Sequence, residues 1–449
     1  MRAIAIILIL TVVPVAGLRA QEAEPWTLQE CIAYAVENNI SLKRQGLTTS
    51  LSEKDLLQSK LSLLPDLGAA VEHDLGSGRV LDRGTYEWVN TDVSQGDLGL
   101  GSNLTLFQGL AGFHRIQRAQ AHLEMQRSEY EMEEDRITLQ VMTAYLELLR
   151  KEELYEIAAE KVKVTRLQLE RMEQLVEVGN ASRGELLEVK AQHSTEKYNM
   201  TEAKNQLDVA RLALRQWMNL PAGEPLEIEM TGMEDPELIA IPVLDSVYQR
   251  AVREMPQIAS ARHSIEYHKK DLAVARGEMT PELFARGLYY SNYSDKLLNP
   301  REPDPAVRTM DYPLHQQIID NQYKQVTIGL NIPVFNRWEG RTRVSKAKIN
   351  LEDASYRLED AKLNILKEIQ QYHADAEGAR DKYLAARESV ANNEEAFRYM
   401  EEKFRVGMAT ALELEEARNK LFSSRSDLIT SRYVFIFYTR ILDFYSGNE

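Results

Sequence analysis

One nine-residue motif occurs twice in this sequence, as Val178-Gly179-Asn180-Ala181-Ser182-Arg183-Gly184-Glu185-Leu186 and as Val406-Gly407-Met408-Ala409-Thr410-Ala411-Leu412-Glu413-Leu414. Both copies fit the pattern V-G-x-A-[ST]-x-x-E-L. Glycine tolerates the left-handed conformation in which many helices end. A Ser or Thr followed three residues later by Glu is a capping box, which starts the next helix. The motif therefore predicts a tight turn between two antiparallel helices at two places in the chain, which we name the first tip (178–186) and the second tip (406–414).

The two tips belong to a longer internal repeat. Residues 216 apart match at Leu28 and Leu244, Ala35 and Ala251, and Pro65 and Pro281, and residues 228 apart match at Phe107 and Phe335, Met172 and Met400, and Gly179 and Gly407. The change of spacing predicts a twelve-residue insertion in the second copy, between the matched Pro and the matched Phe. We therefore expect residues 21–223 and 242–449 to be two copies of one structural unit, joined by a linker over 224–241.

Each copy is predicted to contain a very long helix. No proline lies between Pro65 and Pro221, and none follows Pro333, whereas proline inside a helix costs about 3 kcal/mol. The 72 residues between the matched Phe and Gly would form a helix of about 100 Å. The apolar residues along it follow helical spacing and predict a packed face: Ile137, Val141, Ala144, Tyr145 and Leu148.

A shorter helix of about 37 residues is predicted at the start of each copy. In the first copy it begins with the capping-box sequence Thr27-Leu28-Gln29-Glu30 and ends before Pro65, and in the second copy it ends before Pro281.

Two strand-like stretches follow the shorter helix in each copy. Apolar side chains alternate there with small or polar ones, at Leu98, Leu100, Leu104 and Leu106 in the first copy and at Val326, Ile328, Leu330 and Ile332 in the second. Runs of about ten residues suit tilted strands that cross an outer membrane, although a soluble sheet with one buried face shows the same alternation. Four strands cannot close a barrel, so several chains must share one barrel if these strands cross a bilayer.

Residues 1–20 are predicted to be a secretory signal peptide. Arg2 precedes an apolar run from Ala3 to Gly17, and Ala20 is a small residue at a suitable cleavage position. The run is short for a membrane span. The single cysteine, Cys31, does not follow the run directly, so we expect a buried helix residue rather than a lipid attachment site.

Composition and motifs exclude several classes of function. A formal charge of −15 disfavours a nucleic-acid partner, because phosphate contacts need a basic face. One cysteine excludes a disulfide scaffold and a multi-cysteine metal site. The sequence has no HExxH, P-loop or GxSxG motif and no histidines four residues apart. We therefore expect no enzymatic activity, no cofactor and no bound metal.

The doubled layout, the two tips, the strand ends Leu106-Phe107 and Val334-Phe335 and the link Asn219-Leu220-Pro221-Ala222-Gly223 together resemble the TolC family of outer-membrane efflux proteins. The resemblance covers about Thr27 to Tyr445. It implies a mainly α fold with a small β part, in which four strands per chain contribute to a trimeric twelve-stranded transmembrane barrel on a long antiparallel α-helical coiled-coil barrel.

The same resemblance implies a function and a location. The homotrimer would lie in the outer membrane of a Gram-negative bacterium, in contact with its lipid, with the helical tunnel in the periplasm. It would passively conduct substrates from an inner-membrane pump of the RND or ABC type through a periplasmic adaptor protein. The transported substrate does not follow from the sequence, because the pump supplies the specificity.

The resemblance also assigns roles to residues of the two tips. The adaptor contacts would be Val178, Gly179, Ala181, Ser182, Glu185, Leu186, Val406, Gly407, Ala409, Thr410 and Leu414. Glu413 and Glu416 would ring the closed aperture, although the residues alone equally suit a capping glutamate and a solvated surface glutamate. Phe404 and Ala409 stand where the family often has polar side chains that link neighbouring tips.

One alternative belongs to a different class of protein. An exported periplasmic coiled-coil scaffold or adhesion protein without channel activity would explain the long helices and the export signal. It would not require alternating strands in both copies.

Overall fold

The computed structural model describes residues 25–81, 87–230, 239–303 and 312–447. The predicted signal peptide and residues 231–238 of the predicted linker lie outside this part of the chain. The described elements, in chain order, are α1 (Leu28–Asn38), α2 (Ile40–Leu61), β1 (Gly68–Leu81), β2 (Trp88–Phe107), α3 (Ala111–Glu177), α4 (Arg183–Met218), α5 (Leu244–Glu254), α6 (Pro256–Gly277), β3 (Glu282–Ser294), α7 (Leu314–Asp320), β4 (Tyr323–Asn331), α8 (Glu339–Arg405) and α9 (Ala411–Tyr445).

The predicted very long helices are confirmed. Helices α3 and α8 each contain 67 residues, which corresponds to about 100 Å at 1.5 Å per residue. All five residues of the predicted packed face of α3 are buried. Amphipathic burial of this kind, rather than helix propensity, supplies most of a helix's stability in a folded protein. Among the described helices none is both long and apolar enough to cross a membrane.

The prediction of one 37-residue helix at the start of each copy is wrong. The capping box of Thr27 and Glu30 is present, but each helix is interrupted by one extended residue, Asn39 in the first copy and Met255 in the second. In the second copy the cause is Pro256, because the residue before a proline is driven out of the helical region. Since the two interruptions are 216 residues apart, they occupy the same position in the repeat.

The four strands form one antiparallel sheet in the order β1-β2-β3-β4. Its register pairs Val71 with Leu98 and, further along, Ala285 with both Leu104 and Ile328. Within the described residues, β1 and β4 each have one unpaired edge. The two predicted strand-like stretches per copy are therefore confirmed.

Two details of the predicted strands need correction. Ile332 lies outside β4, which ends at Asn331, because Pro333 has no N–H group to continue the ladder and restricts the residue before it. Leu106 lies within β2 but at a bulge, where the register with β3 shifts between Thr105 and Phe107. Bulges of this kind bend the strand and redirect side chains.

Each long helix follows its strand through a tight turn of one type. The carbonyl of Gln108 accepts a hydrogen bond from the N–H of Ala111 (2.8 Å), and the carbonyl of Asn336 accepts one from the N–H of Glu339 (3.1 Å). The central residues, Gly109 and Leu110 in the first turn and Arg337 and Trp338 in the second, all have positive φ between 52° and 70°. Two consecutive left-handed residues define a type I′ turn. Three of the four carry a Cβ atom, which makes the left-handed conformation sterically unfavourable, whereas glycine adopts it without this cost.

The chain divides into two compact units that do not follow the repeat. The first unit comprises the described residues within Met1–Asn39, Ile137–Ala240 and Ala379–Phe437, and it contains both tips. The second unit comprises the described residues within Ile40–Arg136, Ile241–Gly378 and Tyr438–Glu449, and it contains the sheet. Each unit therefore draws residues from both halves of the sequence.

Buried side chains hold each unit together internally. In the first unit, Cys31 is fully buried in α1, as predicted, and the hydroxyl of Tyr145 donates to the carbonyls of Trp26 (3.3 Å) and Glu229 (3.0 Å). In the second unit, Leu272 and Ala275 of α6 pack against Ala347 of α8. Burial raises the pKa of the Cys31 thiol to about 12, with a smaller contribution from the nearby Glu30 carboxylate.

Candidate functional site

The first tip ends α3 in the conformation that the motif predicts. Gly179 has φ +75°, its N–H donates to the carbonyl of Val176 (3.1 Å), and the N–H of Asn180 donates to the carbonyl of Leu175 (2.7 Å). These two hydrogen bonds form a Schellman motif, which satisfies the last carbonyls of the helix. A Cβ atom at position 179 would meet no heavy atom within 4 Å, so the backbone conformation, and not crowding, requires glycine.

The second tip repeats this geometry. Gly407 also has φ +75°, its N–H donates to the carbonyl of Phe404 (3.1 Å), and the N–H of Met408 donates to the carbonyl of Lys403 (2.8 Å). The predicted tight turn is therefore confirmed at both places.

Capping boxes start the helix that follows each tip. Ser182 Oγ accepts the N–H of Glu185 (3.2 Å), and Glu185 Oε2 accepts the N–H of Ser182 (2.7 Å). Thr410 and Glu413 exchange the same two bonds at 3.3 and 2.7 Å, and the Thr410 hydroxyl also donates to Glu413 Oε2 at 2.8 Å. These hydrogen bonds lower the pKa of both glutamates. Glu413 is thus a capping residue, whatever further role its charge has.

The residues that are exposed at the tips are only partly the ones that the two copies of the motif share. Val178 and Val406 are exposed, and so are three further apolar residues: Met408 and Leu412 at positions that the motif leaves variable, and Leu187 directly after the first tip. Sequence reasoning missed these three because a shared pattern selects the positions that shape the turn. Leu414 is buried within the chain, so it supports the turn from inside and is not available as a contact. The remaining predicted contact residues are half-buried at Ala181, Leu186 and Ala409 and exposed at Gly179, Ser182, Glu185, Gly407 and Thr410.

Polar contacts near the second tip involve a glutamate that the sequence did not single out. Glu413 and Glu416 are exposed, whereas Glu415 is half-buried and accepts a hydrogen bond from the buried Arg418 (2.8 Å). Glu415 also accepts one from Gln168 of α3 (3.4 Å). This bond joins the two tip-bearing helix pairs within the first unit. Phe404, at the predicted linking position, is half-buried.

The sheet has one apolar and one polar face. Directly opposed residues in antiparallel strands share a face, so the register places Val71, Leu98, Leu100, Leu104, Ala285, Val326, Ile328 and Leu330 together. Much of this face is open to solvent in the single chain, with Val71 at 74% exposure and Val326 at 81%. Exposed apolar surface of this extent marks an interaction with lipid or with another protein.

The opposite face carries hydrogen-bonded polar side chains. The Arg286 guanidinium donates to Asn103 Oδ1 (2.9 Å), and the Thr105 hydroxyl donates to Glu282 Oε1 (3.2 Å). Alternation of apolar and polar faces along each strand is the pattern of a transmembrane barrel with a watery interior. Among the described residues, no group of three His, Cys, Asp or Glu side chains is arranged to hold a metal ion.

Comparisons with known proteins agree with this geometry. The sequence matches the family described as "Outer membrane efflux protein" twice, over residues 32–220 and 247–435. It is 22% identical to the outer membrane protein TolC of Vibrio cholerae, over 91% of this chain and 88% of that protein. It is also 22% identical to the alkaline protease secretion protein AprF of Pseudomonas aeruginosa, over 77% of this chain and 69% of that protein.

Solved structures share the fold at lower sequence identity. The CmeC outer membrane channel of Campylobacter jejuni superposes with a TM-score of 0.76 at 15% identity, covering 94% of this chain and 86% of that one. The open state of the MtrE outer membrane channel of Neisseria gonorrhoeae gives 0.72 at 18% identity, covering 94% and 88%.

The family match disfavours the alternative of a periplasmic scaffold or adhesion protein, and it makes this chain a transport protein of the Gram-negative outer membrane. The two matched segments, the mainly helical TolC-like fold and the sheet with one apolar face therefore lead to one conclusion: the chain belongs to the outer membrane efflux protein family and forms an efflux channel in the outer membrane.

Proposed function

We propose that this channel is a homotrimer and serves as the exit duct of a tripartite efflux or type I export system. The observation that carries the proposal is the four-stranded sheet, which is apolar on one face and has unpaired edges at β1 and β4 within the described residues. A lipid-exposed edge leaves backbone N–H and C=O groups unsatisfied, so the sheet must close.

The strand count sets the number of chains. Single-chain barrels of the outer membrane start at eight strands, and two chains with four strands each would only just reach that number. Three chains supply twelve strands and a wider lumen, since barrel diameter grows with strand number. In this arrangement, β4 of one chain pairs with β1 of the next.

The mass of the detergent-solubilised protein tests the trimer. Native mass spectrometry is expected to give three times the mass of the mature chain, and the outer-membrane fraction should contain a species that dissociates to monomers only on heating. A monomer of the same mature mass in that fraction would contradict the proposal.

The passive duct requires partners that drive transport. An adaptor protein would dock at the tips, and an inner-membrane pump of the RND or ABC type would supply substrate. The names of relatives support both kinds of export, because AprF is described as an alkaline protease secretion protein and another relative as an outer membrane efflux protein. Exposed apolar side chains at Val178, Val406 and Met408 offer the docking surface. A cross-linker at Met408→Cys should capture the adaptor, whereas one at the buried Leu414→Cys should not.

We also propose that Glu413 and Glu416 form an acidic ring at the periplasmic aperture. Both carboxylates are exposed, and hydrogen bonding lowers the pKa of Glu413, which keeps it ionised. Converging carboxylates favour cations in a narrow passage. The double variant E413Q/E416Q should therefore have a lower cation preference in planar-bilayer conductance.

A matched control separates charge from capping in this experiment. The variant E185Q/E188Q removes the corresponding capping and following glutamates of the first tip, so it disturbs a helix start in the same way. Equal loss of cation preference in both double variants would assign the effect to the caps and would contradict the ring.

The two halves of the chain are inferred to be structural repeats, preceded by a cleaved signal peptide. The paired family matches over 32–220 and 247–435 support the repeats, as do the equivalent tips, helix breaks and type I′ turns. N-terminal sequencing of the protein purified from the outer membrane should start after Ala20, and a chain that retains Arg2 would contradict cleavage.

A further inference from the structure

The second strand-to-helix turn, between β4 and α8, has basic and aromatic side chains that the first turn, between β2 and α3, lacks. Residues 337–343 read Arg-Trp-Glu-Gly-Arg-Thr-Arg, whereas the equivalent residues 109–115 read Gly-Leu-Ala-Gly-Phe-His-Arg. The second segment thus has three arginines, one glutamate and a tryptophan. Since the two turns share one backbone conformation and one hydrogen-bond pattern, the difference lies in the side chains alone.

Two of these arginines have positive charges that the described residues do not neutralise. Arg343 pairs with Glu278 and with Glu339. Arg337 and Arg341 are both exposed, and neither forms an ion pair with a described residue. The Arg341 guanidinium lies 4.3 Å from the centre of the Trp338 ring, a cation–π contact that orients it.

The backbone of this turn holds unfavourable conformations. Arg337 and Trp338 have φ 52° and 70°, in a region that glycine adopts most easily. In the first turn the position equivalent to Arg337 is Gly109, where a Cβ atom would lie 2.5 Å from Thr280 Oγ1. Arginine is less favourable than glycine in this conformation, so its presence indicates that the arginine side chain has a functional role. Strained conformations cluster at functional sites.

The turn adjoins the face of the sheet that meets lipid. After β4 ends, the chain continues through the exposed apolar residues Ile332, Val334 and Phe335, with Val334 at 91% exposure, and it reaches Arg337 two residues later. Tryptophan and basic side chains are enriched where a membrane protein passes the headgroup level. A guanidinium binds phosphate oxygens through two parallel N–H donors.

We propose that Arg337, Trp338 and Arg341 form a binding site for the phosphate headgroup of an anionic phospholipid. The charge of the pair is complementary to the phosphate, and the Trp338 ring would pack beside the acyl-chain boundary. The inference rests on the outer-membrane position of the sheet, and it deepens the proposed function by naming a lipid that the trimer holds.

Retention of phosphatidylglycerol by the purified trimer tests the site. Native mass spectrometry after exchange into detergent with phosphatidylglycerol should show bound lipid on the unaltered protein and at least about fivefold less on R337Q/R341Q, since each basic residue near a membrane surface contributes measurable attraction. Phosphatidylethanolamine, whose ammonium group offsets the phosphate charge, should bind the unaltered protein more weakly than phosphatidylglycerol and should lose less binding on R337Q/R341Q. The control variant R398Q removes an exposed arginine of α8 that lies 57 residues after Arg341. This variant should retain as much phosphatidylglycerol as the unaltered protein.

Three outcomes would overturn the proposal. The first is equal phosphatidylglycerol retention by R337Q/R341Q and R398Q. The second is full displacement of the lipid by inorganic phosphate, which would assign the site to free phosphate. The third is dissociation of the R337Q/R341Q trimer, which would place the arginines in an interface between copies. Channel conductance is measured in parallel on unaltered protein, so that a failure of the channel function is distinguished from a failure of lipid binding.

Discussion

At the scale of single residues, the tips depend on two glycines whose role is conformational. Gly179 and Gly407 both have φ +75°, and neither has a neighbour within 4 Å of a hypothetical Cβ atom. Substitution there costs energy only through the backbone. The sequence motif identifies both glycines because each ends a helix and precedes a capping box, which is a local relationship.

Replacing Gly407 by alanine should destabilise the second tip by about 1 kcal/mol, because an L-residue is disfavoured in the left-handed region. Hydrogen exchange of the amide of Met408, which donates to the carbonyl of Lys403, should become faster. Gly378→Ala is the matched control, since Gly378 lies within α8 with open space around it. That change should be neutral or stabilising, and equal destabilisation by both substitutions would contradict the explanation.

At the scale of secondary-structure elements, one carboxylate joins three helices in the second unit. Glu278, at the end of α6, accepts hydrogen bonds from Arg115 of α3 (2.8 Å) and from Arg343 of α8. These two arginines occupy equivalent positions of the repeat, 228 residues apart. Burial would raise the pKa of Glu278, but the hydrogen bonds and charges of both arginines outweigh it, so the pKa is lowered.

The variant E278Q should therefore unfold more easily by about 1 kcal/mol near neutral pH, a value reduced for the partial exposure of the arginines. A carboxylate with a lowered folded pKa stabilises the protein above its unfolded pKa of about 4.3, and that contribution is lost as the pH falls through the folded pKa. Thermal unfolding in detergent should show the difference at pH 7 and little difference in strong acid.

Glu339→Gln is the control for this prediction, because Glu339 also pairs with Arg343 but is mostly exposed. Exposed pairs contribute little to stability. A destabilisation by E339Q as large as that by E278Q would show that the shared arginine, and not the half-buried carboxylate, determines the effect.

At the scale of the whole molecule, the sheet can separate lipid from water because successive residues along each strand point to opposite faces. Val326 and Thr327 are adjacent in β4, and the register places them on the apolar and polar faces, respectively. The same substitution at these two positions thus samples two different environments.

Val326→Lys should destabilise the membrane-inserted protein by about 2–4 kcal/mol if the residue lies near the bilayer midplane. Thr327→Lys should leave assembly intact and alter conductance only, since it faces the polar side. The amount of heat-modifiable trimer in the outer membrane measures the effect. Normal assembly of Val326→Lys together with failure of Thr327→Lys would reverse the assignment of the two faces.

Local sequence patterns alone were sufficient to predict the tips, the long helices, the alternating strands and the burial of Cys31. The tips follow from capping boxes of four residues, and the strands and the packed helix face follow from apolar spacings of two and of three and four. The long helices follow from an absence of proline over long stretches of the sequence. The break at Met255 was also predictable, because Pro256 stands in the sequence. The outcomes at the acidic pair Glu413 and Glu416 stay predictions, since they depend on other copies of the chain.

Only the tertiary structure decided the features that join distant parts of the sequence. No proline directly follows Asn39, so the sequence gives no local signal for the helix break there. Its only counterpart is the break at Met255, at the same position of the repeat. The contacts of Glu278 join residues 65 and 163 positions apart in the sequence. Each compact unit likewise depends on packing between segments from both halves of the chain. The stability of these tertiary contacts comes from burial and from partners far along the chain, which local sequence periodicity does not reveal. The hydrogen bonds of turns and caps, by contrast, are made between residues close in the sequence.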